Sequence, residues 1–330
     1  MAEMRIALAA IAAIVGAGFA SGREIASFFT AHGRWWGLGV VLCCAATGLI
    51  VAMLVRLARR TGSTSLGQLY SRVMDERCGE SVQVVCAMLL LTVCAAMCSA
   101  AAEMGALALS GWFARPAGTA CAVAAALLGA KDGKKLAASG AAAAAIIFAF
   151  YLVICMRAEG QWARSPQDGL MVSGCLGVLY ACLNTALAAG VICAQGQRAA
   201  SPARAGLFTG ILLFCLLMPA CMAVGRLGKT DMALPSVMLA GEMGAFGFWM
   251  SLAALFAAAI STLATCFFSL KEIFGQAGLP EKFCMPAAVI APLMLSAVGF
   301  SPIVDVGYPL LGFLCAMLLP ALALFLNDDG

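Results

Sequence analysis

Residues near the N-terminus could bind a ligand through exposed backbone groups and through charge. Glycines stand at positions 16, 18 and 22, and the charged residues Arg23 and Glu24 follow at once within an apolar stretch. Each glycine inside a helix costs about 1 kcal/mol relative to alanine, and a charge inside an apolar span costs at least ~2.5 kcal/mol. We predict that a helix is unwound here to form a functional segment. The alternative is that the glycines allow close helix packing while Arg23 and Glu24 neutralise each other.

A second polar group lies in the middle of the chain, at positions 179–190. Tyr180, Asn184 and Thr185 stand inside an apolar segment and are followed by small residues. Where a helix is interrupted, free amides at a half-helix N-terminus bind a carboxylate and free carbonyl oxygens coordinate a cation. Two interrupted helices could therefore hold a zwitterionic amino acid together with a driving ion.

Glu103 is a third candidate, because it is a carboxylate inside a long apolar segment. An acidic residue in such a position is a functional hypothesis by default. It could carry a proton, pair with Arg23, or bind the amine of a substrate. The structural alternative is a partly hydrated residue near the end of its helix.

The composition identifies the elements that must position these residues. Hydrophobic residues make up 63% of the chain and charged residues 11%, against about 45–50% and 25% in soluble proteins. Such a chain covers a lipid-facing surface rather than a water-facing one, and the net charge of +4 gives no indication of nucleic-acid binding. The 16 cysteines lie mostly in apolar segments and His32 is the single histidine. We therefore expect reduced packing cysteines, no cofactor, and no intramembrane enzyme motif.

Apolar segments of about 20 residues are long enough to cross a bilayer as helices. The first follows Arg5 and is expected to remain as an uncleaved membrane helix rather than a signal peptide. A shorter segment at 234–242, with Pro235 near its start, is predicted to form a lid helix. The sequence predicts ten spans, near 4–30, 36–55, 83–109, 117–130, 136–156, 170–194, 206–225, 246–270, 283–300 and 302–326.

Basic residues in the loops predict the orientation of these spans. With the N-terminus in the cytoplasm, 13 basic residues fall inside and six outside, so both termini are expected in the cytoplasm. Ten spans divide into two sets of five, at about 4–156 and 170–326. Because five is odd, equivalent halves cross the membrane in opposite senses, as in the inverted repeats of many secondary transporters. The first helix of each half, helix 1 and helix 6, is predicted to be discontinuous.

The opening motif is similar to that of a known group. The sequence GAGFASGREI at 16–25, followed by Phe28 and Phe29, resembles the YkvI-type bacterial membrane proteins of the amino acid–polyamine–organocation superfamily. The resemblance spans almost the whole chain through Tyr180, Asn184 and the group Tyr308, Pro309, Leu310 and Gly312. It implies a LeuT-like fold in a bacterial plasma membrane.

The resemblance also implies the roles of particular residues. The superfamily pattern implies that the amides at Gly16, Ala17 and Gly18 receive a substrate carboxylate. The remaining predicted substrate-site residues are Phe19, Ser21, Tyr180, Asn184 and Thr185. The group Ala258, Ser261 and Thr262 resembles the helix 8 part of a sodium site that also uses helix 1 carbonyls. The alternative is that these hydroxyls bond their own backbone or a neighbouring helix.

Together these features predict cation-coupled uptake, by alternating access, of an amino acid or related small organic amine. Arg23, Glu24 and Glu103 are assigned to coupling or gating. The alternative is a ligand-sensing membrane subunit that binds the same class of molecule without moving it. The expected partners are a small-molecule substrate and the lipid bilayer. The sequence leaves open the substrate, the choice between sodium and protons, the direction of transport and the oligomeric state.

Overall fold

The structure is a computed structural model and describes residues 2–129, 145–153, 155, 169–227 and 232–326. Within these residues the chain is all-helical. The first half contains α1 (Ala2–Ile14), α2 (Ala17–Ser21), α3 (Arg23–Phe28), a 3-10 segment (Thr30–Trp35), α4 (Trp36–Thr61), α5 (Leu66–Val73), α6 (Glu76–Ala108) and α7 (Ala114–Gly129), followed by α8 at 145–153. The second half contains α9 (Leu170–Gly196), α10 (Pro202–Gly225), α11 (Pro235–Gly241), α12 (Ala245–Gln276), α13 (Glu281–Leu295), α14 (Phe300–Pro302), a π-helical turn (Ile303–Gly307) and α15 (Tyr308–Ala321).

Seven helical stretches in the described part of the chain are long and apolar enough to cross a membrane. The chain is therefore a multi-pass α-helical membrane protein. The seven stretches correspond to seven of the ten predicted spans: Thr30–Thr61, Glu76–Ala108, Leu170–Gly196, Pro202–Gly225, Ala245–Gln276, Glu281–Val298 and Phe300–Phe325.

The other three predicted spans have different outcomes. The segment 4–30 is divided among α1, α2 and α3. The segment 117–130 lies largely in α7, an apolar helix of 16 residues. Of the segment 136–156, residues 145–153 form α8 and much of the rest lies outside the described residues. Ten spans therefore remain a prediction.

The predicted interruption of the helix at 170–194 is wrong. The structure has one continuous helix, α9, from Leu170 to Gly196. The reason is local, because the side chains expected to disturb it bond within it. The Asn184 amide donates to the Tyr180 carbonyl oxygen at 3.0 Å, and the Thr185 hydroxyl donates to the Ala181 carbonyl oxygen at 2.6 Å. Both use the turn before them, so no backbone hydrogen bond of the helix has to be given up.

Helix termini follow ordinary capping chemistry. Ser65, Asp75 and Ser201 each accept a hydrogen bond from an amide in the first turn of α5, α6 and α10, which satisfies one of the free donors there. Pro235 occupies the first turn of α11, as expected for proline at a helix start. The predicted short helix at 234–242 is therefore confirmed as a helix.

The helices form two contact groups. In the first, α4 packs against α9 and α10, while α1 contacts α9 and α10 and α15 contacts α9. In the second, α6 packs against α7, α12 and α13. Backbones approach closely in both groups. In the first, a Cβ on Gly177 of α9 would collide with the Gly39 carbonyl oxygen of α4, and one on Gly206 of α10 with the Gly48 carbonyl oxygen of α4. In the second, Gly105 of α6 lies against the backbone of α7. Small residues permit such close packing in membranes.

The divided first helix lies between the two groups. Its first part, α1, belongs with α9 and α10, whereas α2 contacts α12 and α6 of the second group. Its last part, α3, contacts α9, α10 and the π-helical turn before α15. Residues 15–28 therefore lie at the junction of the two groups, in contact with both.

Candidate functional site

Two breaks divide the first helix, as the glycine pattern predicts. The first is at Gly16, whose backbone is extended, with φ −88° and ψ −169°. The second is at Gly22, whose φ of +78° is left-handed, a conformation that costs about 1–2 kcal/mol for residues with a Cβ. A Cβ on Gly22 would also lie 3.2 Å from the backbone nitrogen of Ser236 in α11. Both the conformation and the space at this position therefore require glycine.

Side-chain hydrogen bonds hold α2 between the breaks. The Ser21 hydroxyl donates to the Gly18 carbonyl oxygen at 2.6 Å and accepts from the Arg23 amide at 3.1 Å. From α8, the Tyr151 hydroxyl donates to the carbonyl oxygens of Phe19 and Ala20 at 3.5 and 3.4 Å. The Gly18 and Ala20 carbonyls, left free where α2 ends, thus have side-chain partners.

Glu24 is the acidic group at the second break. It is 6% exposed, and its Oε2 accepts a hydrogen bond from the Tyr180 hydroxyl of α9 at 3.1 Å. Its Oε1 lies so close to Gly18 that a Cβ there would collide with it. The ring of Tyr180 packs between Phe28 and Phe29, with centroids 5.0 and 5.3 Å away. The structure thus joins Gly18, Glu24 and Tyr180 in one buried site.

The positions predicted to bind a substrate carboxylate, at the glycine amides, are partly occupied by other groups of the protein. The Gly16 amide already donates to the Ile14 carbonyl oxygen at 2.9 Å. At Gly18, the adjoining space holds the carboxyl group of Glu24. The substrate carboxylate expected beside Gly16, Ala17 and Gly18 would therefore face an acidic side chain of the protein itself.

Arg23 pairs with a residue of the last helix and not with Glu24 or Glu103. Its Nε donates to Asp305 Oδ1 at 3.1 Å, and its Nη2 donates to Asp305 Oδ2. Its Nη1 donates to the Met232 carbonyl oxygen at 3.0 Å, just before α11. Arg23 thus ties the first helix to the π-helical turn and to the segment just before the predicted lid. The alternative in which Arg23 and Glu24 neutralise each other is wrong.

Glu103 forms a separate site on α6. Its Oε2 accepts from the Arg115 guanidinium at 3.2 Å, and the two side chains are 29% and 65% exposed. It lines an open, mostly apolar cavity of about 210 Å³ together with Met232, Leu234 and Met238. The structure therefore places Glu103 beside the segment that leads into α11, paired with a solvated cation.

The residues predicted for a sodium site lie in α12. The Thr262 hydroxyl donates to the Ala258 carbonyl oxygen at 3.0 Å, which is the backbone-bonded alternative described above. Thr262 Oγ1 would nevertheless lie 3.9 Å from a Cβ on Gly16, so Thr262 of α12 faces the first break. Ser261 lies on the same helix, where its carbonyl oxygen accepts from Thr265 at 3.0 Å.

On α9, Tyr180 reaches the first helix, whereas Asn184 and Thr185 bond within their own helix. All three side chains are buried. Of the predicted substrate residues, the structure thus joins Tyr180 directly to the break, and Phe19 contacts Tyr151 edge to face at 6.4 Å between centroids.

Sequence reasoning missed two residues of this site, Asp305 and Tyr151. Asp305 could have been found by the argument that identified Glu103, because it is a carboxylate inside a predicted span. Tyr151 carried no such signal, since a tyrosine in an apolar segment is an ordinary packing residue.

No protein-family model matches the chain, and no curated protein matches it by sequence.

Proposed function

We propose that the chain is a secondary active transporter, coupled to sodium ions or protons, that moves an amino acid or related small organic amine by alternating access. We also propose ten spans in a LeuT-like arrangement of two inverted repeats, in a bacterial plasma membrane with both termini in the cytoplasm. The observation that carries the proposal is the first helix, which is broken at Gly16 and Gly22 and buries Arg23 and Glu24 beside the second break.

Burying a charged residue at a break in a membrane helix is costly, so its presence there indicates a role in binding or coupling. Insertion of one charged residue costs at least ~2.5 kcal/mol, and unwound backbone is tolerated at membrane depth only within protein or around a cavity. Such features mark the binding sites of secondary transporters, where discontinuous helices meet. The left-handed backbone of Gly22 adds a point at which α3 could turn relative to α2.

The helix grouping supports the repeat arrangement. The first group contains predicted spans 1, 2, 6 and 7 (α1, α4, α9 and α10) together with span 10 (α15). The second contains spans 3, 4, 8 and 9 (α6, α7, α12 and α13). Spans 1 to 4 thus fall in the same groups as their equivalents, spans 6 to 9. Two bodies composed in this way are suited to rocking about a site at their junction.

The contacts of Arg23 support a closed outer side. Asp305 and the Met232 carbonyl oxygen hold α3 to the last helix and to the segment before α11. Pro235 of α11 packs on Gly22. Release of these contacts would free the second break toward the side on which Arg115 and Met232 lie, so we assign the Arg23–Asp305 pair to gating and α11 to a lid.

Transport is tested with the purified full chain in liposomes. Uptake of labelled amino acids and primary amines is measured under an inward sodium gradient, an inward proton gradient, or neither. We expect gradient-dependent uptake of at least one compound, lost in Gly22→Ala and retained in Gly190→Ala. Gly190 is a matched glycine within continuous α9, where the nearest atom to a Cβ would be 3.9 Å away.

Binding is measured in parallel by thermal unfolding. A ligand at 100 times its dissociation constant stabilises the folded state by about 2.7 kcal/mol. Stabilisation without flux would contradict transport and favour the ligand-sensing alternative. Neither stabilisation nor flux across the panel would contradict the proposed substrate class.

A further inference from the structure

We propose that the Glu24 carboxyl group is a proton carrier of this protein, protonated while the site is closed and ionised when the site opens to water. This inference rests on the proposed transport function and selects protons as a coupling ion. It starts from the position of the carboxyl group, which is buried at the second break between Gly18 and Tyr180.

No cation balances Glu24 in the described structure. Arg23, the adjacent residue, directs its guanidinium to Asp305 and to the Met232 carbonyl oxygen. Within the described residues, the Tyr180 hydroxyl is the one hydrogen-bond donor to the Glu24 carboxylate. An ionised carboxylate held in an apolar interior by a single neutral donor is strongly disfavoured, and such groups neutralise instead.

The contact with Tyr180 suits both protonation states. An ionised Glu24 accepts a hydrogen bond from the Tyr180 hydroxyl, in the sense the structure gives. A protonated Glu24 can donate its own hydrogen to the tyrosine oxygen, because a hydroxyl both donates and accepts. The pair therefore remains hydrogen-bonded when one proton is lost, and the break need not rearrange to accommodate the neutral acid.

Among the titratable groups in this region, Glu24 is the acid best placed to exchange a proton near neutral pH. Arg23 and Asp305 pair with each other, and the His32 ring contacts the Ser27 carbonyl oxygen within the segment that follows α3. The remaining groups that face this region from the packed helices, within the described residues, are Cys43 of α4, Tyr151 of α8, Tyr180 of α9, Cys221 of α10 and Tyr308 of α15. Free tyrosines and cysteines release protons only well above neutral pH.

Glu103 provides the contrast. Its carboxylate accepts from Arg115, and both side chains are more exposed than Glu24. The structure thus separates the two carboxyl groups of the predicted coupling set: Glu103 has a guanidinium partner, whereas Glu24 is buried beside a neutral hydroxyl.

The cycle requires a proton to leave to water. In the closed state the proton stays on a carboxyl oxygen of Glu24. When the Arg23 contacts with Asp305 and Met232 are released, water reaches the second break, the O–H bond of the acid breaks and water accepts the proton. Return to the closed state then requires a proton, or a cationic ligand in its place, because the burial of a bare carboxylate is unfavourable.

The proton itself is the probe in the experiment. Infrared difference spectra of the full chain in lipid nanodiscs are recorded at neutral pH in H₂O and in D₂O, with no substrate added. The C=O stretch of a protonated carboxylic acid is well separated from carboxylate bands. We expect such a band, shifted by deuterium exchange, that is lost in Glu24→Gln and retained in Glu103→Gln. Absence of the band, or its retention in Glu24→Gln, would overturn the proposal.

A second variant covers the case in which Glu24→Gln does not fold. Tyr180→Phe removes one hydroxyl and is expected to shift the band to higher frequency, because the acid loses its hydrogen-bond partner. An unshifted band in folded Tyr180→Phe would overturn the assignment to Glu24. The readout also separates the two proposals: the band without flux contradicts transport alone, whereas sodium-driven flux without the band contradicts the proton carrier alone.

Discussion

The first helix and α9 occupy equivalent places in the proposed repeats, yet one is broken twice and the other is continuous. Both carry polar residues and glycines in the middle of a predicted span. In the first helix, Glu24 and Arg23 find partners on α9 and on the turn before α15. In α9, Asn184 and Thr185 bond to carbonyl oxygens one turn back.

The difference shows that polarity alone does not interrupt a membrane helix. Gly22 adopts a backbone conformation closed to most residues, and Ser21 and Tyr151 provide hydrogen bonds for carbonyls that the break leaves free. Gly190, in contrast, stands within the helical part of α9. A break therefore needs both a residue that can leave the helix and neighbours that satisfy the backbone.

The largest effect is expected from a matched pair of glycine substitutions. Gly22→Ala should destabilise the protein by about 2–4 kcal/mol, since strain at positive φ adds to crowding against Pro235 and Ser236. Gly190→Ala should be neutral or stabilise by up to about 1 kcal/mol, because alanine favours the helix. Denaturant titrations in detergent micelles measure both. Equal effects would show that the two glycines are equivalent and that the contrast between the helices is wrong.

A smaller effect is expected from the contact between Gly18 and Glu24. Gly18→Ala should cost about 1–3 kcal/mol, because the added methyl group collides with the Glu24 carboxyl group in a packed site. In a Glu24→Ala background the same substitution should cost under about 0.5 kcal/mol, since the obstructing side chain is gone. The four proteins of this double-mutant cycle are compared by the same titration. Additive costs would mean that Glu24 does not lie against Gly18.

Local signals predicted the breaks in the first helix, whereas the interruption predicted in α9 came from the proposed symmetry. Glycines and adjacent charges report directly on the backbone near residues 16–24, so the break there could be foreseen. The interruption of α9 was inferred from its position in a repeat, and the intrahelical hydrogen bonds of Asn184 and Thr185 prevent it. The apolar lengths likewise predicted seven spans that the structure contains.

The partners of the buried charges could not be predicted in the same way. Arg23 and Asp305 are 282 residues apart, and Glu24 and Tyr180 are 156 residues apart. Such pairs depend on how the helices pack, and a single sequence carries no local pattern for that. Asp305 could have been identified as a candidate by its charge. That Arg23 pairs with Asp305, and not with Glu24, follows only from the turn that places Asp305 beside α3.

Removal of the partner of Arg23 tests whether the first helix depends on contacts outside itself. Asp305→Asn should cost about 1–2 kcal/mol, because it leaves a buried guanidinium beside a neutral group, tempered by the 34% exposure of the Asp305 side chain. Glu103→Gln, which disrupts the more exposed pair with Arg115, should cost under about 1 kcal/mol. Thermal unfolding in detergent gives the order of the two. A larger loss of stability in Glu103→Gln would show that the Glu103–Arg115 pair, and not the Arg23–Asp305 pair, has the structural role.

The smallest effect is expected in α9, where it decides between structure and function. Thr185→Val removes a hydroxyl that, among the residues the structure describes, bonds only to carbonyl oxygens of its own helix, at 2.6 and 3.3 Å. Those carbonyls already belong to the helical ladder. The change in unfolding free energy should therefore be under about 1 kcal/mol. If Thr185 nevertheless binds substrate, uptake in liposomes should fall while stability is unchanged. Intact uptake would remove Thr185 from the predicted site and confine the contribution of α9 at the break to Tyr180. A large loss of stability would instead show that the hydroxyl has a partner outside α9, contrary to the self-contained helix on which the comparison depends.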